Sequence, residues 1–159
     1  KYTPNGCDSV EFLISANPGE ELKPLSKIAS GGEMSRIMLA VKSVLSDTDN
    51  VEAMIFDEID TGVSGRAAQK IAEKMGKLAQ TRQILCITHL AQIAAMADYQ
   101  YLIEKHTEGD STKTTVSLVT DERRREELAR IIGGVKVTEL TLNAAQEMLD
   151  MAAEQKKKS

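Results

Sequence analysis

Two apolar runs of the sequence each end in side chains that can do chemistry. Asp57 and Glu58 follow the run at residues 51–56, and His89 follows the run at residues 83–88. Adjacent carboxylates can divide the work of a nucleotide site, because one can hold Mg²⁺ through water while the other orients and deprotonates a nucleophilic water. A histidine can donate to a nearby phosphate oxygen. Each feature alone is more often structural, so the hypothesis rests on their occurrence together.

The segment SGGE, at Ser30, Gly31, Gly32 and Glu33, precedes a run with helical spacing. Ser30 and Glu33 fit a capping box, in which the serine side chain caps the helix and the glutamate bonds back. That motif does not explain the glycines, which each cost a helix roughly 1 kcal/mol relative to alanine. Their bare N–H groups at the positive end of the helix dipole suit a phosphate. The segment therefore favours an anion site at the start of this helix.

Alternating strands and helices must position these residues. Apolar residues recur at three- and four-residue spacing after Ser30, which predicts an amphipathic helix over residues 31–46. The apolar runs at 51–56 and 83–88 are typical of strands buried on both faces of a parallel sheet. The other predicted elements are a strand at 10–15, helices at 66–80 and 90–97, a hairpin formed by 99–105 and 114–119, and a helical remainder from 121 that is broken at 133–134.

This order of elements predicts one α/β domain over residues 1–159, a largely parallel sheet flanked by helices with a β-hairpin closing the sheet edge. The lysine-rich end of the chain, residues 154–159, is predicted to be a frayed and solvated tail. In open α/β sheets, ligands bind beyond the carboxyl ends of the strands, which is where Asp57, Glu58 and His89 fall. A single sheet edge is thus expected to carry the chemistry.

Composition limits the classes of protein open to this chain. Its 159 residues are 42% hydrophobic and 3% aromatic, which indicates a single aliphatic core. A formal net charge of −4 argues against the basic surface of a free-standing nucleic-acid binder. The two cysteines, Cys7 and Cys86, indicate a reducing compartment rather than a disulfide framework. No apolar run is long enough to span a membrane and no signal-peptide pattern is visible, so a cytoplasmic protein is expected.

A phosphate cradle is missing from this set of motifs, because GxxxxGK followed by Ser or Thr does not occur in the 159 residues. The motifs SGGE, AMIFDE, TGVSG and CITH follow the order of the signature, Walker B, D-loop and switch-histidine motifs of ABC-type ATPases. With ASGGEMSRIMLA, FDEIDTGVSGRAAQKIAEK and ITHLAQIAAMAD, the sequence resembles the SMC-like branch of that family, which repairs double-strand breaks in bacterial DNA. The resemblance covers nearly the whole chain.

The resemblance implies the C-terminal lobe of an ABC/SMC-type P-loop NTPase head. In such proteins Walker A and the Q-loop belong to an N-terminal lobe, and an antiparallel coiled coil separates the two lobes. The cofactors implied are ATP and Mg²⁺. Carried over to this sequence, Asp57 assists Mg²⁺ through water, Glu58 is the general base, and His89 contacts the γ-phosphate.

The resemblance also implies a site shared between two heads. The signature residues would bind the nucleotide held by the opposite head, and they are Ser30, Gly31, Gly32 and Glu33. The residues Gly62, Val63 and Ser64 would form the D-loop. Ala29 and Ser64 depart from the wider family, which commonly has leucine and aspartate at these positions, so the role of Ser64 stays open.

The function implied is ATP-driven head engagement in DNA repair and recombination, in a bacterial cytoplasmic protein that associates with the nucleoid on DNA damage. Its expected partners are the N-terminal Walker A lobe, a second copy of the protein, and DNA through the complete protein. The chain alone, without Walker A, is expected to be inactive as an ATPase. Two alternatives stay open: the ATP-binding subunit of an ABC transporter, and a non-catalytic dimerisation or regulatory module.

Overall fold

The computed structural model describes residues 4, 6–15, 18–27, 30–45, 48, 50–109, 111–134 and 136–158. These residues form a mixed α/β structure of β1 Leu13–Ile14, β2 Lys23–Pro24, a 3-10 turn Leu25–Lys27, α1 Gly31–Val44, β3 Ala53–Phe56, α2 Gly65–Leu78, β4 Gln83–Cys86, α3 Ala91–Met96, β5 Gln100–Glu108, β6 Ser111–Val119, α4 Asp121–Gly133 and α5 Glu139–Lys158. The expectation about Ala29 lies outside the described residues, as does Ser159 at the end of the predicted tail.

A parallel two-stranded ladder lies at the centre of the site. Strands β3 and β4 pair in register from Ala53 opposite Gln83 to Phe56 opposite Cys86, and helix α2 connects them. The β3 side chains Met54 and Phe56 are buried in one core cluster with apolar residues of helices α2 to α5. Because the two strands run in the same direction and are in register, the segments that follow Phe56 and Cys86 leave the ladder at the same edge.

The prediction that these strands are buried on both faces is wrong. Phe56 is 5% exposed, whereas Ile55 is 73% exposed and Leu85 is 47% exposed. Successive side chains of a strand point to opposite faces. The helices therefore cover one face of the ladder, which we call the closed face, and leave Ile55, Leu85 and Ile87 on the other, the open face.

Parallel pairing is limited to this one ladder in the described part of the chain. Strands β1 and β2 pair antiparallel, as do β5 and β6, and each pair is a separate two-stranded sheet. The strand predicted at 10–15 is reduced to Leu13–Ile14. The predicted hairpin forms, but its strands bond each other and do not extend the β3–β4 ladder. It is longer than predicted, since His106 pairs with Lys113 within it.

The two C-terminal helices pack against each other and against α3. The predicted break lies between them, where Gly134 has a φ of 73°. Helix α5 extends to Lys158 and so includes most of the predicted tail, whose fraying stays a prediction. Two contacts hold its last turns: Lys156 Nζ lies 2.5 Å from Asp98 Oδ1, and Gln155 accepts a hydrogen bond from Gln69.

None of the described helices combines the length and the apolar character that a membrane crossing needs.

Candidate functional site

Asp57 and Glu58 lie at the end of β3, where the chain leaves the core and becomes exposed. Glu58 has a φ of 56°, in the left-handed region that non-glycine residues rarely adopt. Its N–H donates to Asp57 Oδ1 at 2.9 Å, and its carbonyl accepts from the N–H of Thr61 at 3.0 Å. A tight turn thus directly follows the two carboxylates, and we call residues 57–61 the carboxylate loop.

Helix α1 holds the carboxylate loop through two side chains. Ser35 Oγ donates to the carbonyl of Asp57 at 2.8 Å. Arg36 Nη1 donates to the carbonyls of Ile59 and Thr61, at 3.2 and 2.8 Å. The sequence interpretation missed both residues. Helical spacing could have identified them, because each lies four residues after one of the two glycines and therefore shares a helix face with it.

The glycines at the start of α1 admit the carboxylate loop. A Cβ at Gly31 would lie 2.5 Å from Glu58 Oε2, and a Cβ at Gly32 would lie 2.8 Å from the Glu58 carbonyl oxygen and 3.0 Å from Thr61 Cβ. Real Cβ atoms essentially never approach backbone so closely, so a side chain at Gly32 would displace the loop. This close approach of backbone explains Gly32 without a ligand. Phosphate binding by their N–H groups stays a prediction.

The start of α1 has the predicted serine cap. Ser30 has extended backbone angles, and its side chain accepts from the N–H of Glu33 at 3.4 Å. An uncapped helix start leaves its first N–H groups without intrahelical partners. Ser30 satisfies one of them, and the helix of 14 residues keeps the positive end of its dipole beside Glu58.

Asp60 links the carboxylate loop to the end of β4. It is 2% exposed, and its Oδ2 accepts from Thr88 Oγ1 at 2.6 Å and from the N–H of His89 at 2.8 Å. The same oxygen lies 3.0 Å from His89 Nδ1. The His89 side chain is itself 71% exposed, so its buried partner holds a ring that faces solvent. Sequence interpretation missed Asp60, although a third carboxylate in FDEID was the available signal.

The predicted D-loop residues follow directly. Gly62 has a φ of 75°, and Val63 is partly buried against the core cluster. Ser64 is the N-cap residue of α2, but its side chain makes no capping hydrogen bond and it is exposed. The structure therefore presents the Ser64 hydroxyl at the surface beside the carboxylate loop.

Negative charge is concentrated at this edge. Burial, together with the charges of Asp60 and Asp57, raises the pKa of the Cys86 thiol to about 12. Within the described residues, no group of three or more His, Cys, Asp and Glu side chains has the arrangement of a metal site. Mg²⁺ in nucleotide sites is commonly held by one or two carboxylates together with phosphate oxygens and water, and the exposed Asp57 fits that donor set.

Taken together, three predicted features meet at one edge: the start of α1, the carboxylate loop and the end of β4. Hydrogen bonds from Ser35 and Arg36 join the first two, and Asp60 joins the second to the third. The arrangement offers exposed carboxylates, a fixed imidazole and helix N–H groups within one connected network.

The chain is similar to several bacterial proteins described as DNA repair protein RecN. It is 54% identical over 151 residues to that of Halalkalibacterium halodurans, covering 95% of this chain and 27% of the relative. It is 52% identical to that of Bacillus subtilis, covering 96% of this chain and 26% of the relative. The protein of Deinococcus radiodurans is 50% identical, with 91% of this chain and 25% of the relative covered. The chain thus spans about a quarter of the length of these relatives.

No protein-family model matches the chain. Among solved structures, one described under the ATP-driven dimerization and DNA-stimulated activation of SMC ATPases matches with a TM-score of 0.46 and 19% identity. That match covers 78% of this chain and 81% of the other.

Proposed function

We propose that the chain, which belongs to the family of the DNA repair protein RecN, is the C-terminal lobe of an ATPase head. It spans about a quarter of the length of the relatives it matches, 27% and 26% of the first two. The complete protein would use ATP-driven engagement of two heads in double-strand break repair and recombination. It would act in the bacterial cytoplasm, on DNA bound by other parts of the protein.

The observation that carries this proposal is the hydrogen-bonded edge that joins the carboxylate loop to both α1 and His89. Glu58 directly follows strand β3 and sits in a tight turn held by α1, which supports a role for its carboxylate in orienting and deprotonating a water. Asp57 is exposed beside it and would hold Mg²⁺ through water. Mg²⁺, when bound, would neutralise phosphate charge. His89 faces solvent from the same edge and would contact the γ-phosphate of ATP.

The start of α1 would serve a nucleotide held by a second copy. Ser30, Gly31 and Gly32 offer N–H groups and a hydroxyl at the positive end of the helix, with Glu33 in its first turn. The 159 residues contain no phosphate loop, which supports a site that is completed by a Walker A lobe and by a second copy of the protein. Gly62, Val63 and Ser64 would line that head–head contact.

The exposed open face of the β3–β4 ladder is an argument for a second lobe of the same protein that packs on it. Parallel sheets are normally covered on both faces, yet Ile55, Leu85 and Ile87 are exposed here. Apolar side chains of α1 are also exposed, Val41 and Val44 among them. A neighbouring Walker A lobe that packs on this face would bring its phosphate loop to the same edge as Glu58.

The substitution Glu58→Gln in the complete protein tests the proposal. The amide keeps the shape of the side chain but cannot take a proton, so ATP hydrolysis should fall about a hundredfold or more while ATP binding persists. Engaged head dimers should then accumulate with ATP in gel filtration. Glu154→Gln, an exposed carboxylate on α5, is the matched control.

Two outcomes decide between the candidates. Hydrolysis that survives Glu58→Gln at the wild-type rate would contradict the role of the general base and favour a non-catalytic module. Turnover by the 159-residue chain alone, lost on Glu58→Gln, would contradict the need for a Walker A lobe.

A further inference from the structure

Asp60 is a buried carboxylate where the carboxylate loop meets the end of β4. We propose that Asp60 is a positioning residue that fixes the direction and the tautomer of the His89 ring. The inference rests on the proposed function, in which His89 contacts the γ-phosphate. It assigns to Asp60 no contact with nucleotide or metal.

Two hydrogen-bond donors and one ring nitrogen meet at a single oxygen of Asp60. Its Oδ2 accepts from Thr88 Oγ1 at 2.6 Å and from the His89 N–H at 2.8 Å, and it lies 3.0 Å from His89 Nδ1. The backbone and the ring of the same histidine are therefore bound to the same atom. This double attachment restricts the side-chain torsions of a residue that is otherwise 71% exposed.

The contact also determines which ring nitrogen carries a hydrogen. When one nitrogen of a histidine bonds a carboxylate, that nitrogen keeps its hydrogen and the other is left for the ligand. Asp60 therefore assigns the hydrogen to Nδ1 and directs Nε2 into the solvent at the site edge. When both ring nitrogens carry a hydrogen, the same ring donates from Nδ1 to Asp60 and from Nε2 to a phosphate oxygen, so Asp60 holds the ring in the direction that the phosphate contact needs.

A purely structural role is the competing explanation for Asp60. Its bond to Thr88 ties the carboxylate loop to the end of β4, and a buried carboxylate needs such donors to offset its desolvation. Thr88 provides the control, because Thr88→Val removes the bonds of Oγ1 to Asp60 and to the Leu90 N–H but leaves the Asp60–His89 contact in place. A structural role would make Asp60→Asn and Thr88→Val alike.

The test uses the complete protein labelled with ¹⁵N-histidine, with the His89 signals assigned by their loss in His89→Ala. In the unaltered protein, the neutral His89 ring should carry its hydrogen on Nδ1. Asp60→Asn should weaken that preference, whereas Thr88→Val should retain it. The kcat for ATP hydrolysis should fall about tenfold or more in Asp60→Asn, with KM for ATP changed less than twofold. In a His89→Ala background, Asp60→Asn should lower kcat no further.

Each contrary result has a distinct meaning. A neutral His89 that carries its hydrogen on Nε2 in the unaltered protein would overturn the inference, whatever the variants of Asp60 and Thr88 show. An equal loss of kcat from Asp60→Asn with and without His89 would also overturn it, because Asp60 would then act by another route. If His89→Ala hydrolyses ATP normally while the ring is held as described, the proposed role of His89 fails and the positioning by Asp60 stands.

Discussion

The two faces of the β3–β4 ladder differ although they are built from the same short strands. On the closed face Phe56 is 5% exposed and packs with the helices, while on the open face its neighbour Ile55 is 73% exposed. Both residues are large and apolar, so composition does not cause the difference. The difference teaches that the helices of this chain cover one side of the ladder and leave the other side exposed, which is where we propose that a partner layer packs.

The candidate site lies along the border between these faces. The carboxylate loop follows Phe56, and His89 follows the end of β4. Contacts from the closed side fix both segments, through Arg36 and Asp60. What the chain lacks is a phosphate loop, and the open face offers a surface for the lobe that would supply it.

The largest expected effect is a difference in stability between substitutions at Phe56 and at Ile55. Phe56→Ala removes a buried ring and should lower the free energy of unfolding of the chain by about 3–5 kcal/mol. Ile55→Ala, one residue away, should change it by about 0.5 kcal/mol or less, because that side chain is already in water. Urea unfolding followed by circular dichroism measures both. Comparable losses from the two substitutions would show that the open face is packed in solution.

A smaller difference in stability is expected between alanine substitutions at the two adjacent glycines of α1. Gly32 is buried, and a Cβ there would meet the Glu58 carbonyl, so Gly32→Ala should cost about 1–3 kcal/mol of stability. Gly31 is exposed and its Cβ would meet only the end of the Glu58 side chain, which can rotate away. Gly31→Ala should therefore be neutral or stabilising by about 0.5 kcal/mol, as alanine is in a compatible helix position. The same unfolding assay measures the pair, and the reverse order would refute the close approach of the loop to Gly32.

These contrasts also show what the sequence could and could not reveal. The helical spacing after Ser30 predicted α1, and the apolar runs predicted β3 and β4 together with the polar residues at their ends. The exposure of Ile55 was not predictable, because an apolar residue does not indicate whether its covering layer belongs to the same chain. Asp60 was missed since its partners are 28 and 29 residues away, beyond any local pattern. The glycines were assigned to a ligand because the approach of Glu58 is likewise non-local.

The smallest effect concerns Cys86, whose side chain lies on the closed face. Burial, with the charges of Asp60 and Asp57, raises the pKa of its thiol from 9.0 to about 12, so the thiolate forms less readily in the folded chain than in the unfolded one. Stability is unaffected below the unfolded pKa and should decline as pH rises from 9 toward 12, and Cys86→Ala should flatten that decline.

Alkylation at pH 8 checks the same property more simply, because the thiolate is the reactive form. Iodoacetamide should modify the exposed Cys7 first and leave Cys86 unmodified until the chain is unfolded, as followed by mass spectrometry. Equal rates at the two cysteines in the folded chain would contradict the burial of Cys86.

The central claim is that the edge built by this chain is half of an ATP site completed across two heads. Mixing two inactive forms of the complete protein tests it most directly: Ser30→Arg, which fills the approach to the start of α1, and a Walker A substitution. Ser30→Ala, which loses the cap but adds no bulk, controls for helix stability. In a heterodimer both lesions fall on one composite site, so the account predicts that part of the ATPase activity returns on mixing. If heterodimers form and the mixture stays as inactive as either parent in single-turnover assays, the shared site is contradicted.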